Sequence, residues 1–151
     1  MGSVKYKKGI IFCTSEYITS KEYGGLAIFL HKFLKKLKKD FDIFLIISSD
    51  ENKFEKTEGI NVFNVKVQNF TLKLCKKFFK PIFYLIQSFI LNKKISTIIK
   101  KNNNIKYVHF SNYQNLGFFY NNDLPTITRL SSLESLWENN NQFSINKYIE
   151  N

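Results

Sequence analysis

The sequence predicts an α/β domain, a parallel sheet flanked by helices, and three observations lead there. Short apolar runs at 10–13, 41–48, 60–67, 106–110 and 125–129 have the length and branched or aromatic content of strands. Amphipathic or apolar helical stretches separate several of them, and alternation of strand and helix is the pattern of βαβ units. The first such unit is also the best-defined: Ile10-Ile11-Phe12-Cys13 runs through a polar loop into Tyr23-Gly24-Gly25 and then a helix.

That first helix explains itself by spacing. Leu26, Phe29, Leu30, Phe33, Leu34 and Leu37 fall on one face, and Lys32, Lys35, Lys36, Lys38 and Lys39 take the rest, so the helix is expected to cover a sheet. The glycine pair at its start has two readings. A glycine lets backbone approach a ligand, and the first N–H groups of a helix attract anions, so Gly24 and Gly25 can form a phosphate-facing turn. The alternative is a turn that only packs helix against strand.

The run at 41–48 is continuously apolar, as a strand buried on both faces should be. Residues 50–59 read as a charged loop, and 60–67 alternates like an outer strand. From 71 to 101 the chain is helical in character. Its apolar centre, 78–91, is interrupted by Lys80, Pro81 and Gln87 and is too short to span a bilayer. Pro81 is expected to start or kink its second half. The lysines flanking this centre suit a solvated core helix or a basic, aromatic face lying on an anionic membrane surface. After Asn102-Asn103-Asn104 come a strand at 106–110, a short helix near 115–120 and a strand at 125–129.

Composition limits the function classes. The chain has 151 residues, 44% hydrophobic and 17% aromatic, enough for one core-bearing domain. Of the 23 basic side chains only Arg129 is an arginine, so the formal charge of +11 is diffuse lysine. Specific nucleic-acid readout, which favours arginine forks, is not indicated, whereas an anionic membrane remains a fair partner. Cys13 and Cys75 form no CxxC motif and the histidines do not cluster, so neither a disulfide framework nor a metal or cofactor site is indicated. A cytoplasmic location, peripheral at the inner membrane face, fits this pattern.

In open parallel sheets, ligands sit beyond the carboxyl ends of the strands. The residues arriving there are Ser15 and Glu16, 109–112, and 129–132. Glu16 could orient an acceptor hydroxyl or be a solvated loop residue. His109 alternates with Val108 and Phe110 and reads by default as a hydrogen-bonded structural histidine, with ligand contact as the rival reading. Glu134 and Trp137 could form a sugar-stacking edge, although a helix packing Leu133, Leu136 and Trp137 on the sheet is simpler.

The succession IIFCTSEY, YGGLAIFLHKFLKKL, DIFLIIS, YVHFSN and LPTITRLSS resembles the start of a family 4 glycosyltransferase of the GT-B fold. The resemblance implies a Rossmann-like N-terminal domain on the acceptor side of a cleft. Gly24 and Gly25 would then approach a donor diphosphate or the acceptor. The loop after Arg129, with Ser131 and Ser132, would line the reaction centre. Many relatives carry a histidine there and this chain does not, which leaves Arg129 as the fixed positive charge for a phosphate or a carboxylated acceptor. His109 and Glu16 complete the expected substrate-binding set, and no catalytic residue is assigned. In that family the nucleotide-sugar donor is held by a second, C-terminal domain with two glutamates seven residues apart, and no such pair is found by residue 151. The expectation is an incomplete acceptor-binding domain, inactive alone, of a retaining enzyme acting on a glycan or lipid-linked acceptor. The alternative is a non-catalytic Rossmann-like module that binds a nucleotide or a protein.

Overall fold

The computed structural model describes residues 7–20, 24–67, 77, 79–111 and 113–129. Six strands form one sheet: β1 (Lys8–Thr14), β2 (Phe41–Ser49), β3 (Lys53–Thr57), β4 (Ile60–Lys66), β5 (Ile105–Ser111) and β6 (Thr126–Arg129). Helix α1 (Gly25–Leu37) links β1 to β2, and α2 (Lys80–Lys101) precedes β5. The spatial order is β3-β4-β2-β1-β5-β6, with every pair parallel except β3 with β4. The molecule is thus an α/β, Rossmann-like sheet with helices on its faces, as expected.

Strands β1 and β2 are buried on both faces, which is why they read as unbroken apolar runs. Period-2 alternation divides their side chains into two cores. Ile10, Phe12, Ile43, Leu45 and Ile47 pack with Leu30 and Leu34 of α1. Ile11, Cys13, Phe44 and Ile46 pack with Phe83, Leu91, Ile95 and Ile98 of α2. Burial pushes the Cys13 thiol pKa well up, so it stays protonated and behaves as a small apolar side chain.

Four expectations change. Residues 50–59 are not all loop: Lys53–Thr57 form β3, joined to β4 by the two-residue turn Glu58-Gly59. Both turn residues have positive φ, 52° and 81°, the geometry that lets a two-residue turn follow the twist of a hairpin. Charge hid this strand, because as an edge strand it buries almost nothing. In consequence β4 is not the outer strand; β3 covers it. The short helix expected near 115–120 is instead a 3₁₀ turn at Tyr113–Asn115 followed by turns, with Gln114 and Asn115 at positive φ. Finally, α1 buries Ala27, Leu30 and Leu34, while Phe29 and Phe33, expected to be buried, are 44% and 39% exposed.

Helix α2 begins just before Pro81, whose fixed φ and missing N–H suit the first turn; residues 71–76 of the expected helix lie outside the described set. With 22 residues α2 is long and apolar enough to cross a membrane by length and composition. Here one side of it packs on the sheet. That side also carries Ser88 and Asn92, which fasten the loop before β6. Asn92 Nδ2 donates to the Leu116 carbonyl at 2.6 Å, and Ser88 Oγ donates to it at 3.0 Å and accepts from the Phe119 N–H at 3.2 Å. Buried polar groups on a core helix are tolerable because they satisfy a loop backbone that could not reach water.

At Gly9, β1 and β5 run close together. A methyl group there would meet the Ile105 Cα at 3.1 Å and its N at 3.3 Å, beside the register shift between Gly9 and Ile10. Gly9→Ala is therefore expected to destabilise the fold by about 1–3 kcal/mol, read as a lower urea midpoint, because backbone must move to admit the methyl.

Candidate functional site

Strand order reverses at β1. Strand β2 lies on one side of β1 and β5 on the other, so the connections leave the two strands on opposite faces and a crevice opens at their carboxyl ends. On the α1 face, register places the side chains in rows. Ile10 faces Tyr107; Phe12 faces His109, which faces Ile127; at the carboxyl end Ser111 faces Arg129, with Thr14 of β1 on the same face. These rows floor a groove of about 610 Å³ whose wall is α1, through Leu26, Phe29, Leu30, Phe33 and Leu37.

The groove is polar at one end only. Arg129 lies over the Phe29 ring, its guanidinium carbon 3.7 Å from the ring centroid, and Phe29 stacks on Phe33. Such stacking fixes the guanidinium plane while leaving its N–H groups free. Among the described residues, its Nη1 is buried without a hydrogen-bond partner, and so is the Ser111 hydroxyl, on a residue only 6% exposed. Among the described residues no carboxylate pairs with Arg129. His109 stacks on Phe12 with ring centroids 4.9 Å apart. Burial, and then the nearby Arg129 charge, lower its pKa from the usual 6.5, so the ring is neutral at physiological pH.

The loop after β1 is tied down from within. Thr14 Oγ1 donates to the Glu16 carbonyl at 3.1 Å, the Tyr17 N–H donates to Ser20 Oγ, and the Tyr17 hydroxyl lies 2.8 Å from His31 Nδ1 of α1. Burial, with a smaller push from Glu58, raises the Tyr17 pKa to about 12, so this phenol stays protonated. The tether directs Glu16 to the start of α1, where Oε2 accepts the Gly24 N–H at 3.3 Å. A carboxylate of the chain itself thus sits where helix N-termini attract anions.

Neither glycine is dictated by backbone strain. Gly24, the N-cap, is extended at φ −107°, and a methyl group on Gly25 would meet nothing within 4 Å. The structure brings His109 and Arg129 together in the groove with Ser111, and joins Glu16 to Gly24 at the start of α1. Ser131 and Ser132, like Asn112, Glu134 and Trp137, lie outside the described residues. From the sequence, Ser111 falls at the strand ends within 109–112 without a role of its own, and the aromatic pair Phe29 and Phe33 falls on the expected buried face of α1. Alternation along β5 would have pointed to a role, since Ser111 shares the parity of His109. Nothing in the sequence marks which side of an apolar helix stays uncovered. Among the described residues no three His, Cys, Asp or Glu side chains group as metal ligands.

The His109 ring sets a pH dependence. Its native pKa is below that of the unfolded chain, so below about pH 6.5 the unfolded state binds the extra proton and stability falls as pH falls. His109→Gln is expected to flatten that slope between pH 7 and about 5.5 in urea titrations, through loss of this group's share of the linkage.

Compared with known proteins, the chain matches no protein-family model and no curated protein.

Proposed function

We propose that this chain is the acceptor-side portion of a glycosyltransferase that moves a sugar from a nucleotide-sugar donor to a glycan or lipid-linked acceptor. The observation that carries the reading is the convergence of Thr14, Ser111 and Arg129, from the carboxyl ends of three parallel strands, beside the start of α1. Convergence at a topological switch point is where α/β sheets bind ligands. The order of motifs along the chain, from the strand and glycine turn to the Pro-initiated strand ending in Arg129, supports the more specific assignment.

In this reading Arg129 supplies a fixed positive charge for a phosphate, and Ser111 supplies a hydroxyl beside it. A neutral His109 can exchange a hydrogen bond with an acceptor hydroxyl, and Glu16 holds the first turn of α1 in place. The nucleotide sugar is held by a second domain, and transfer proceeds with retention of anomeric configuration. Leaving-group charge is met by phosphate contacts more than by a protein base. The enzyme works at the inner face of a membrane, and the exposed lysines of α1, among them Lys32, Lys35 and Lys36, suit that place.

Two measurements test this. The intact mass of the native product is expected to be about twice the 17.9 kDa of this chain or more, with the glutamate pair in the added length; a product of 17.9 kDa would reduce the reading to one of ancestry. In that intact protein, Arg129→Ala is expected to lower kcat/KM for sugar transfer by about 10- to 100-fold, the loss of one charge-assisted contact. Unchanged transfer would remove Arg129 from the site.

A further inference from the structure

We propose that the groove between α1 and strands β1, β5 and β6 binds an aliphatic phosphate monoester, with its chain on the apolar floor and its phosphate on Arg129 and Ser111. This inference rests on the acceptor-side reading for its role and narrows the acceptor to a lipid phosphate.

The rows of the groove change polarity along the strands. From the amino to the carboxyl ends of the strands, the floor passes from Ile10 and Tyr107, through Phe12, His109 and Ile127, to Thr14, Ser111 and Arg129. Two steps of two residues at about 3.3 Å rise make a floor roughly 13 Å long, apolar for most of its length and polar at one end. A soluble sugar or nucleotide would leave most of that surface unmatched, because its hydroxyls would lose water without gaining partners. An amphiphile with one compact head matches both parts.

The head must be an anion. Among the described residues, Arg129 is the single charged side chain lining the groove. Its guanidinium has a buried N–H without a partner, and the Ser111 hydroxyl beside it has none either, although Ser111 is almost wholly buried. Two unpartnered donors on adjacent strands, in register at Ser111 and Arg129, suit a group that offers several acceptor oxygens. The Glu16 carboxylate, on the neighbouring loop, is engaged with the Gly24 N–H, and the phosphate therefore lies on the β5 and β6 side. The tail has its own observation. Phe29, Phe33 and Ile127 are 44%, 39% and 51% exposed around one continuous apolar surface, which is the cost an alkyl or isoprenyl chain would relieve.

Dodecyl phosphate, below the concentration at which it forms micelles, is the probe, titrated calorimetrically into the full chain. Saturable one-to-one binding is expected. Arg129→Gln and, separately, Ile127→Asp should each weaken it at least tenfold while far-ultraviolet circular dichroism and the melting curve stay native. Ile127 is half exposed, so the aspartate is not expected to disturb folding. Dodecanol should bind at least tenfold more weakly than dodecyl phosphate, and inorganic phosphate should not bind measurably.

Absence of binding to the full chain would overturn the proposal and point to residues 130–151 or another protein surface as the groove's occupant. Equal binding by Arg129→Gln, or by dodecanol, would overturn the assignment of the head, and equal binding by Ile127→Asp that of the tail. The two readings fail separately. Binding of dodecyl phosphate by this chain, with no sugar transfer by the intact native protein, keeps the groove and removes the transferase. Transfer that neither Arg129→Gln nor Ile127→Asp alters keeps the transferase and removes the groove.

Discussion

Strand β1 is held by parallel ladders on both sides, to β2 from Lys8 to Thr14 and to β5 from Gly9 to Cys13, and both of its faces are covered. Everything else follows from that double constraint. A strand with two partners and two cores can carry only apolar or small side chains along its length. It also approaches β5 so closely that a methyl group at position 9 would meet the Ile105 backbone at 3.1–3.3 Å. Because β2 and β5 leave β1 in opposite senses, the connections on the two sides occupy opposite faces, and the crevice at the carboxyl ends is a consequence of chain direction.

The same constraint sorts side chains by parity. On β1 the even positions look toward α1 and the odd ones toward α2; on β5 the parity reverses because the register pairs Phe12 with His109. His109, Ser111, Ile127 and Arg129 therefore share a face. The two faces are finished differently. Toward α2 the surface is closed by Phe83, Leu91, Ile95 and Ile98, and by the loop fastened through Ser88 and Asn92. Toward α1, the helix lies over β1 and β2 and leaves the β5 and β6 side open as a groove. The open face carries the unpartnered guanidinium and hydroxyl, and the closed face carries structural polar groups that support a loop. Lack of a partner alone does not separate these two sets, because Gln87 Oε1 and Asn92 Oδ1 of α2 are also buried without a partner among the described residues; what separates them is that Ser111 and Arg129 line an open groove, whereas Gln87 and Asn92 are on the buried side of α2.

Tethering and freedom are also divided along the first loop. Thr14, Tyr17 and Ser20 spend their hydrogen bonds on the loop and on His31, and Glu16 spends one on Gly24. The turn that looks from sequence like an anion-binding site is thus partly satisfied from within. The free donors lie one and two strands away, on residues that no glycine motif marks.

Local physical chemistry in the sequence determined the alternation of strands and helices, the two-sided burial of β1 and β2, the start of α1 at Gly25 and the positions of β5 and β6. Each of these depends on side-chain period and apolarity within a few residues, so it can be read without knowing partners. The hairpin strand β3 was illegible because an exposed edge strand carries no apolar signal, and the helix expected at 115–120 gave way to turns held by Ser88 and Asn92, some 25 residues away. Glu16, His109, Ser111 and Arg129 could be placed at the strand ends, but the part of Phe29 and Phe33 could not be read. Their part depends on which face of the sheet α1 leaves open, and that is set by strand order and register, which bring together residues nearly 100 positions apart.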